Sequence, residues 1–278
     1  MRSFNFLVNR LFDGIFYAFI SLNPWVAMVV VCLLTGIFML LIFRYTSNQK
    51  GIRQAKDKIK AHFLELRLFK EDFSLMMKAQ GKILRYNLIY MKHSLKPMLI
   101  MILPLVIVLI QFNFRFGFRP FKANEEVMVG VTFSEPLPLQ AMDISLDISL
   151  EAPEGLEVET PPLRINRLHE VDWRLRAKEA GDYVLRIRIG EELLTKRVTV
   201  SDELCQLSPR KVSRSFFQEF LYPSEPALPS NSPVSYIEVK YPTRHLDLGG
   251  WNIHWLIVFF VLSIAFGFAL KGMFKVEI

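Results

Sequence analysis

Cysteine is nearly missing from this chain of 278 residues: Cys32 and Cys205 are its two thiols. Cys32 falls inside an apolar run and Cys205 in a distant segment, so a bridge within one chain is not expected and no disulfide framework supports the fold. The motifs of common enzyme classes are lacking too. There is no G-x-S-x-G elbow, no H-E-x-x-H, no G-x-x-x-x-G-K phosphate loop and no C-x-x-C pair. His62, His93, His169, His245 and His254 are scattered too widely to converge on one metal, and the carboxylate pairs Glu125-Glu126 and Glu191-Glu192 read as solvated turn residues. These absences argue against catalytic and metal chemistry. The chain reads as a non-enzyme, with no cofactor expected.

Charge is absent from three long runs. Trp25–Phe43, Pro97–Phe114 and Trp251–Leu270 hold 19, 18 and 20 residues without a charged side chain. That is about the length at which a helix rising ~1.5 Å per residue crosses a bilayer core. Between the first two runs the composition reverses. Arg44–Lys96 carries 13 Lys/Arg and 4 Asp/Glu, a balance of +9, whereas Arg115–Gly250 carries 17 and 21, a balance of −4. Loops rich in Lys and Arg stay on the cytoplasmic side of a membrane. The pattern predicts a multi-pass protein of the cell (inner) membrane, N-terminus outside and C-terminus cytoplasmic, with Lys271 and Lys275 following the last run. The expected parts are an interfacial helix (1–23), a first span (24–44), a basic cytosolic hairpin (45–95) and a second span (96–114). An outer β domain (115–200), a proline-rich linker (201–250), a third span (251–270) and a short tail (271–278) complete the chain. The hairpin is expected to meet membrane lipids before an acidic partner or nucleic acid.

Helical spacing fills in the first half. Phe4, Val8, Leu11, Ile15 and Phe19 recur on one face of 1–23 while Asn5, Asn9 and Asp13 mark another, as in an amphipathic helix lying in the membrane interface. Arg10 and Asp13 interrupt it in a way a cleavable signal would not allow. In 45–95, Ile52, Ile59 and Leu66 repeat every seven residues with Ala55, His62 and Phe69 between them. After a polar break at Lys70-Glu71-Asp72, Met77, Leu84 and Met91 repeat likewise, with Gly81, Leu88 and Leu95 interleaved. Two such seams most simply cover each other in an antiparallel coiled-coil hairpin, with His62 packed on the seam rather than ligating.

Beyond Arg115 the period changes to two. Alternation in runs near 125–133, 143–151, 155–159, 162–165, 170–177, 182–190 and 193–200 predicts about seven half-buried strands. That is the rhythm of an Ig-like all-β sandwich, in which Tyr183 could form a tyrosine corner; no cysteine pair flanks Trp173, which excludes an antibody-type domain. In the linker, 214–221 reads as a short helix and 234–241 as an extra strand.

The polar residues of the runs invite two readings. Thr35-Gly36 interrupt the first run, Gln111 and Asn113 close the second just before Arg115, and His254 and Ser263 fall in the third. Gathered together they would line a shallow wettable groove; at headgroup level they need no such role, and depth alone favours that simpler reading for Gln111, Asn113 and His254. Met76, Met77, Met91, Met98 and Met101 follow one another along the second hairpin helix and into the second run. Such flexible side chains suit varied apolar partners, although ordinary packing accounts for most helical methionines. Aromatic platforms for bases are lacking, so no specific DNA is expected.

The order of an outer N-terminus, a span, a basic helical hairpin, a second span and a later third span resembles the YidC/Oxa-type insertase superfamily, most of all its minimal three-span, archaeal-like branch. The likeness covers about 1–114 and 251–278, with Leu64-Glu65-Leu66-Arg67-Leu68-Phe69-Lys70, Lys78-Ala79-Gln80-Gly81 and Leu95-Lys96-Pro97-Met98 as its local markers. The resemblance implies an insertase or insertion chaperone that catches apolar segments of newly made membrane proteins on the hairpin and passes them through a polar groove. It also implies roles. Lys56, Lys60, Arg67, Lys82 and Arg85 would attract the substrate, a ribosome or a translocation complex, and Met76, Met77 and Met91 would touch its apolar stretch. Thr35, Gln111 and Asn113, with Arg115 beside them, would ease passage of its polar flank. No arginine lies centrally in a run, and the β domain is inserted between the second and third runs, both departures from the bacterial pattern. The alternatives are a scaffold using its outer sandwich and an accessory subunit of a transporter.

Overall fold

The computed structural model describes every residue except 18, 20–22, 135–147 and 278. Residues 1–27 and 109–255 form one compact unit, and 28–108 with 256–278 another. Among the described residues the α-helices are α1 (Arg2–Tyr17), α2 (Pro24–Thr46), α3 (Gln49–Leu68), α4 (Phe73–Phe112), α5 (Phe216–Leu221) and α6 (Trp255–Leu270).

In the helical unit, α2 and α4 (the latter prolonged by a π-helical turn, Asn113–Gly117) are long and apolar enough to cross a membrane by length and composition. Their most apolar windows have mean hydropathies of 3.0 and 2.3. α6 is apolar but has 16 residues, because Trp251–His254, expected as the start of the third span, is a strand instead. The reason is local: Gly249 and Gly250 both adopt positive φ and turn the chain back as a two-residue hairpin loop. A second difference is that the hairpin's second helix and the second span are one helix of 40 residues. Pro97 removes a single hydrogen bond, to the His93 carbonyl, and good helix formers on both sides carry the helix through it.

α3 opens with the Asn48 side chain accepting from the Gly51 amide at 3.0 Å. The turn at 69–72 falls on the expected polar break, and Asp72 caps α4 through the Leu75 amide at 3.0 Å. Of its expected seam α3 buries Ile52, Ala55 and His62 and half-buries Ile59 and Leu66, whereas Phe69, in the turn that follows, is exposed. On α4 the stripe turned towards α3 is Met76, Ala79, Ile83, Tyr86 and Tyr90, one position away from the expected one. His62 stacks on Tyr86 with centroids 5.5 Å apart, the Lys56 ammonium lies 5.9 Å over Tyr90, and Lys82 approaches Glu65 at 3.7 Å. Half-polar aromatic side chains thus outcompete leucine for the seam, because α3 offers them the His62 ring and the Lys56 cation to meet. Met77, Leu84, Leu88, Met91 and Leu95 are left more than half exposed.

The other unit is built on antiparallel strands. Among the described residues β1 (Glu126–Phe133), β2 (Ile148–Glu151), β3 (Leu156–Val158), β4 (Leu163–Ile165), β5 (Glu170–Ala177), β6 (Gly181–Ile189) and β7 (Glu192–Val200) fall on the seven alternating runs. Residues 143–147 of the second run lie outside the described residues. β8 (Arg210–Val212) and β9 (Val234–Val239) join β1 and β5 in a sheet ordered β3-β5-β1-β9-β8, in which β4 also pairs with β5. β2-β6-β7 form a second sheet, and β10 (His245–Leu248) pairs with β11 (Trp251–His254). Inward residues of both larger sheets share one core, including Val129, Val131, Trp173, Leu185, Ile187 and Ile237. Alternate positions along each strand point to opposite faces, which is why the period of two was readable. Tyr183 Oη donates to the Glu179 carbonyl at 3.0 Å, and its ring covers Gly155, whose φ of +100° and lack of a Cβ leave the space it needs.

α1 is held in this unit by the face expected to stay polar. The Asn5 and Asn9 side chains donate to the carbonyls of Glu219 and Pro223, each at 2.8 Å, while Phe12 and Phe16 pack edge-on against Phe112. Phe4, Leu7 and Leu11 remain exposed.

Candidate functional site

Within the helical unit α2, α4 and α6 enclose a cavity of about 360 Å3. α2 contributes Thr35, Gly36, Met39 and Phe43, α4 contributes Tyr90, Ser94, Met98 and Met101, and α6 contributes Phe259, Ser263, Gly267 and Phe268. Small residues decide its shape. A Cβ on Gly36 would lie 3.4 Å from both the Phe266 Cβ and the Ser263 carbonyl, so α2 and α6 approach closely there. Gly267 belongs to the same approach, its amide nitrogen 3.6 Å from the Cβ built on Gly36, yet nothing lies within 4 Å of a Cβ built on Gly267 itself, and the missing side chain becomes open space. Met98, Ile264 and Phe268 on the rim are more than half exposed, so the cavity opens to its surroundings.

None of the lining side chains is charged. The polar content is hydroxyl: Thr35 is buried, the Ser94 oxygen is buried without a hydrogen-bond partner, and the buried Ser263 oxygen has the Cys32 thiol as its neighbour. A buried hydroxyl without a partner carries an unmet desolvation cost of about 1–3 kcal/mol. The arrangement can hold an apolar chain and offer it hydroxyl donors. Among the described residues no group of three His, Cys, Asp or Glu is placed to hold a metal ion.

Of the residues singled out in the sequence, Thr35, Gly36, Ser263, Met98 and Met101 line the cavity. Lys60, Arg67, Lys82 and Arg85 are exposed on the hairpin, and Lys56 lies half-buried over Tyr90. Met77 and Met91 belong to the exposed stripe of α4, while Met76 is half-buried towards α3. The hydrogen bond from His62, at 2.9 Å, together with Lys82, holds the Glu65 carboxyl below its ordinary range.

Gln111, Asn113 and Arg115 belong to the β-containing unit, and Thr35 to the helical one. Arg115, 2% exposed, donates to Asp13 and, at 2.8 Å, to Gln111 Oε1. Gln111 passes the network on to Asn9 at 2.8 Å, and Gln206 reaches the same Asn9 oxygen at 3.2 Å. The π-helical turn, with one more residue than an α-turn, swings Arg115 into this contact. Gln111 and Arg115 fasten α1, whereas Asn113 lines a separate hollow with Phe118, Arg210 and Lys240. Gly267, Ser94, Tyr90 and Phe43 were not nominated from sequence. The signal that could have found them is the small-residue spacing Ser263-x-x-x-Gly267 opposite Thr35-Gly36.

No family model matches this chain, and neither a curated protein nor a solved structure is found to match it.

Proposed function

We propose that the protein is a membrane protein insertase or insertion chaperone. In this reading α2, α4 and α6 cross the membrane, the N-terminus lies outside, the basic hairpin faces the cytoplasm and the β unit is an Ig-like sandwich on the far side. The observation that carries it is the exposed stripe Met77, Leu84, Leu88, Met91 and Leu95 on a segment of balance +9, on the same helix as the cavity wall Met98 and Met101. Exposed apolar surface of this extent, beside Lys78, Arg85 and Lys92, fits a transient apolar helix with acidic or neutral flanks. The 16 residues of α6 rise only about 24 Å, less than a typical hydrocarbon core, and a short span is accommodated by thinning the bilayer beside it. Thinning lowers the barrier to moving a polar flank inward. Tyr183 bonding back to Glu179, with Trp173 buried among both sheets, supports the Ig-like assignment. Phe4, Leu7 and Leu11 on α1 suit an interfacial resting place.

The test is site-specific photocrosslinking in native membranes with ribosome-bound chains that expose one apolar segment. Crosslinkers at Met77, Leu84 and Met91 should capture the segment, and one at Tyr183 should not. Capture confined to the β unit would favour the scaffold reading instead, and stable copurification with a larger channel would favour an accessory subunit of a transporter.

A further inference from the structure

We infer that the cavity between α2, α4 and α6 is a binding site for one lipid acyl chain, held at its carbonyl end by serine hydroxyls. The inference rests on the placement of these helices in a membrane but not on insertion activity. Size comes first. An apolar cavity of about 150 Å3 accommodates one benzene, so by the same measure 360 Å3 has room for roughly fourteen carbon atoms. A helix about 10 Å across cannot enter such a space, but the greater part of a fatty acyl chain can.

Chemistry points the same way. The walls are methionine, phenylalanine and leucine, the flexible thioethers of Met39, Met98 and Met101 being suited to a chain with many rotamers. The lining lacks charge, so an ionised ligand would find no counter-charge there. The buried Ser94 oxygen lacks a partner and can donate to an acceptor that brings no proton of its own, as an ester carbonyl does, and Ser263, whose neighbour is the Cys32 thiol, can turn to the same acceptor. In a bilayer an acyl chain gains little hydrophobic free energy by leaving other chains. Close packing and the pairing of these hydroxyls must supply the preference, so the site should select for a carbonyl beside a chain rather than for a headgroup. Exposed Met98, Ile264 and Phe268 at the rim leave the entry such a chain requires.

The experiment uses the full chain reconstituted in phosphatidylcholine–phosphatidylglycerol vesicles containing a phospholipid with a diazirine at mid-chain. Adducts are mapped by mass spectrometry. Adducts at Met98 and Met101 should exceed those at Ile102 and Leu103, which are more than half exposed on the same helix, by at least fivefold. Gly267→Leu, which extends a side chain into the open space, should remove most of the cavity adducts and leave Ile102 labelling unchanged. Gly267→Ala should give an intermediate loss, which keeps the test sound should the larger side chain impair folding. Ser94→Ala with Ser263→Ala should reduce labelling two- to threefold. Uniform labelling around α4, or labelling indifferent to residue 267, would overturn the site. So would labelling of Met98 and Met101 by a photoreactive apolar peptide where the lipid gives none; that would assign the cavity to protein segments. Hairpin crosslinking to nascent chains is read separately, so failure of one result leaves the other standing.

Discussion

Lys196 alternates with Leu194 and Val198 on the inward face of β7, a place where period-two patterning expects another apolar side chain. It is 0% exposed, and its ammonium donates to Glu225 and, at 2.6 Å, to the Ser208 carbonyl. Burial pushes its pKa down to about 8, with Glu225 opposing that shift in part. Burial acts to raise the Glu225 carboxyl, but Lys196 and Ser208 outweigh it and hold it below the usual range. Between about 8 and the ordinary lysine value of about 10.4 the unfolded chain therefore binds more protons than the folded one. The contribution of this lysine to stability rises with pH across that window. That of Glu225 is present above the ordinary carboxylate range and lost as pH falls through its lowered value. Urea unfolding of the full chain in micelles, followed by protease resistance of the β unit, should show a rising midpoint between pH 7.5 and 9.5; Lys196→Met should abolish the rise. Because that variant strands a buried carboxylate, it should cost about 3–5 kcal/mol, and adding Glu225→Gln should recover most of it. Equal midpoints for the single and double variants would refute the pairing.

At the scale of elements, one residue separates packing from display on α4. Ile83 faces α3 and Leu84 faces away, about 100° round the helix. Ile83→Ala should destabilise the hairpin by about 2 kcal/mol or more, lowering its melting temperature by circular dichroism. Leu84→Ala should leave the melt unchanged yet weaken capture of apolar segments; a matched effect of the two on melting would place the seam elsewhere. The sequence displayed the strands well, since Val129, Val131, Trp173 and Leu175 alternate strictly and buried faces must follow that pleat. It displayed the α4 seam poorly. Hydropathy cannot anticipate that Tyr86 and Tyr90 have His62 and Lys56 as partners, nor that apolar Leu84 and Leu88 are left without one. The asparagines of α1 misled for the same reason: their partners, the carbonyls of Glu219 and Pro223, stand 214 positions away in sequence. Of the nominated groove, Thr35, Gly36 and Ser263 were legible as interruptions of apolar runs. The void itself was not, because it arises from the side chain that Gly267 lacks.

For the whole molecule, the balance of charge is the property most open to test. Five Lys→Glu exchanges at 50, 56, 58, 60 and 78 would take the Arg44–Lys96 segment from +9 to −1 and remove five of the cations that, in the proposed topology, would retain it in the cytoplasm. In a Cys205→Ser background, a cysteine introduced by Glu157→Cys should react with an impermeant maleimide on intact cells; after the five exchanges a large fraction should become shielded. Full labelling in both would mean that the hairpin does not set the orientation. The unbroken α4 carries a mechanical corollary. Pro97 and Pro104 each leave a carbonyl without its helical donor, that of His93 and that of Ile100, so the rod is weakest at two points one heptad apart. Met98 and Met101 sit on the short length between them. A bend at either point would tilt this one panel of the chamber and leave the rest of its frame in place.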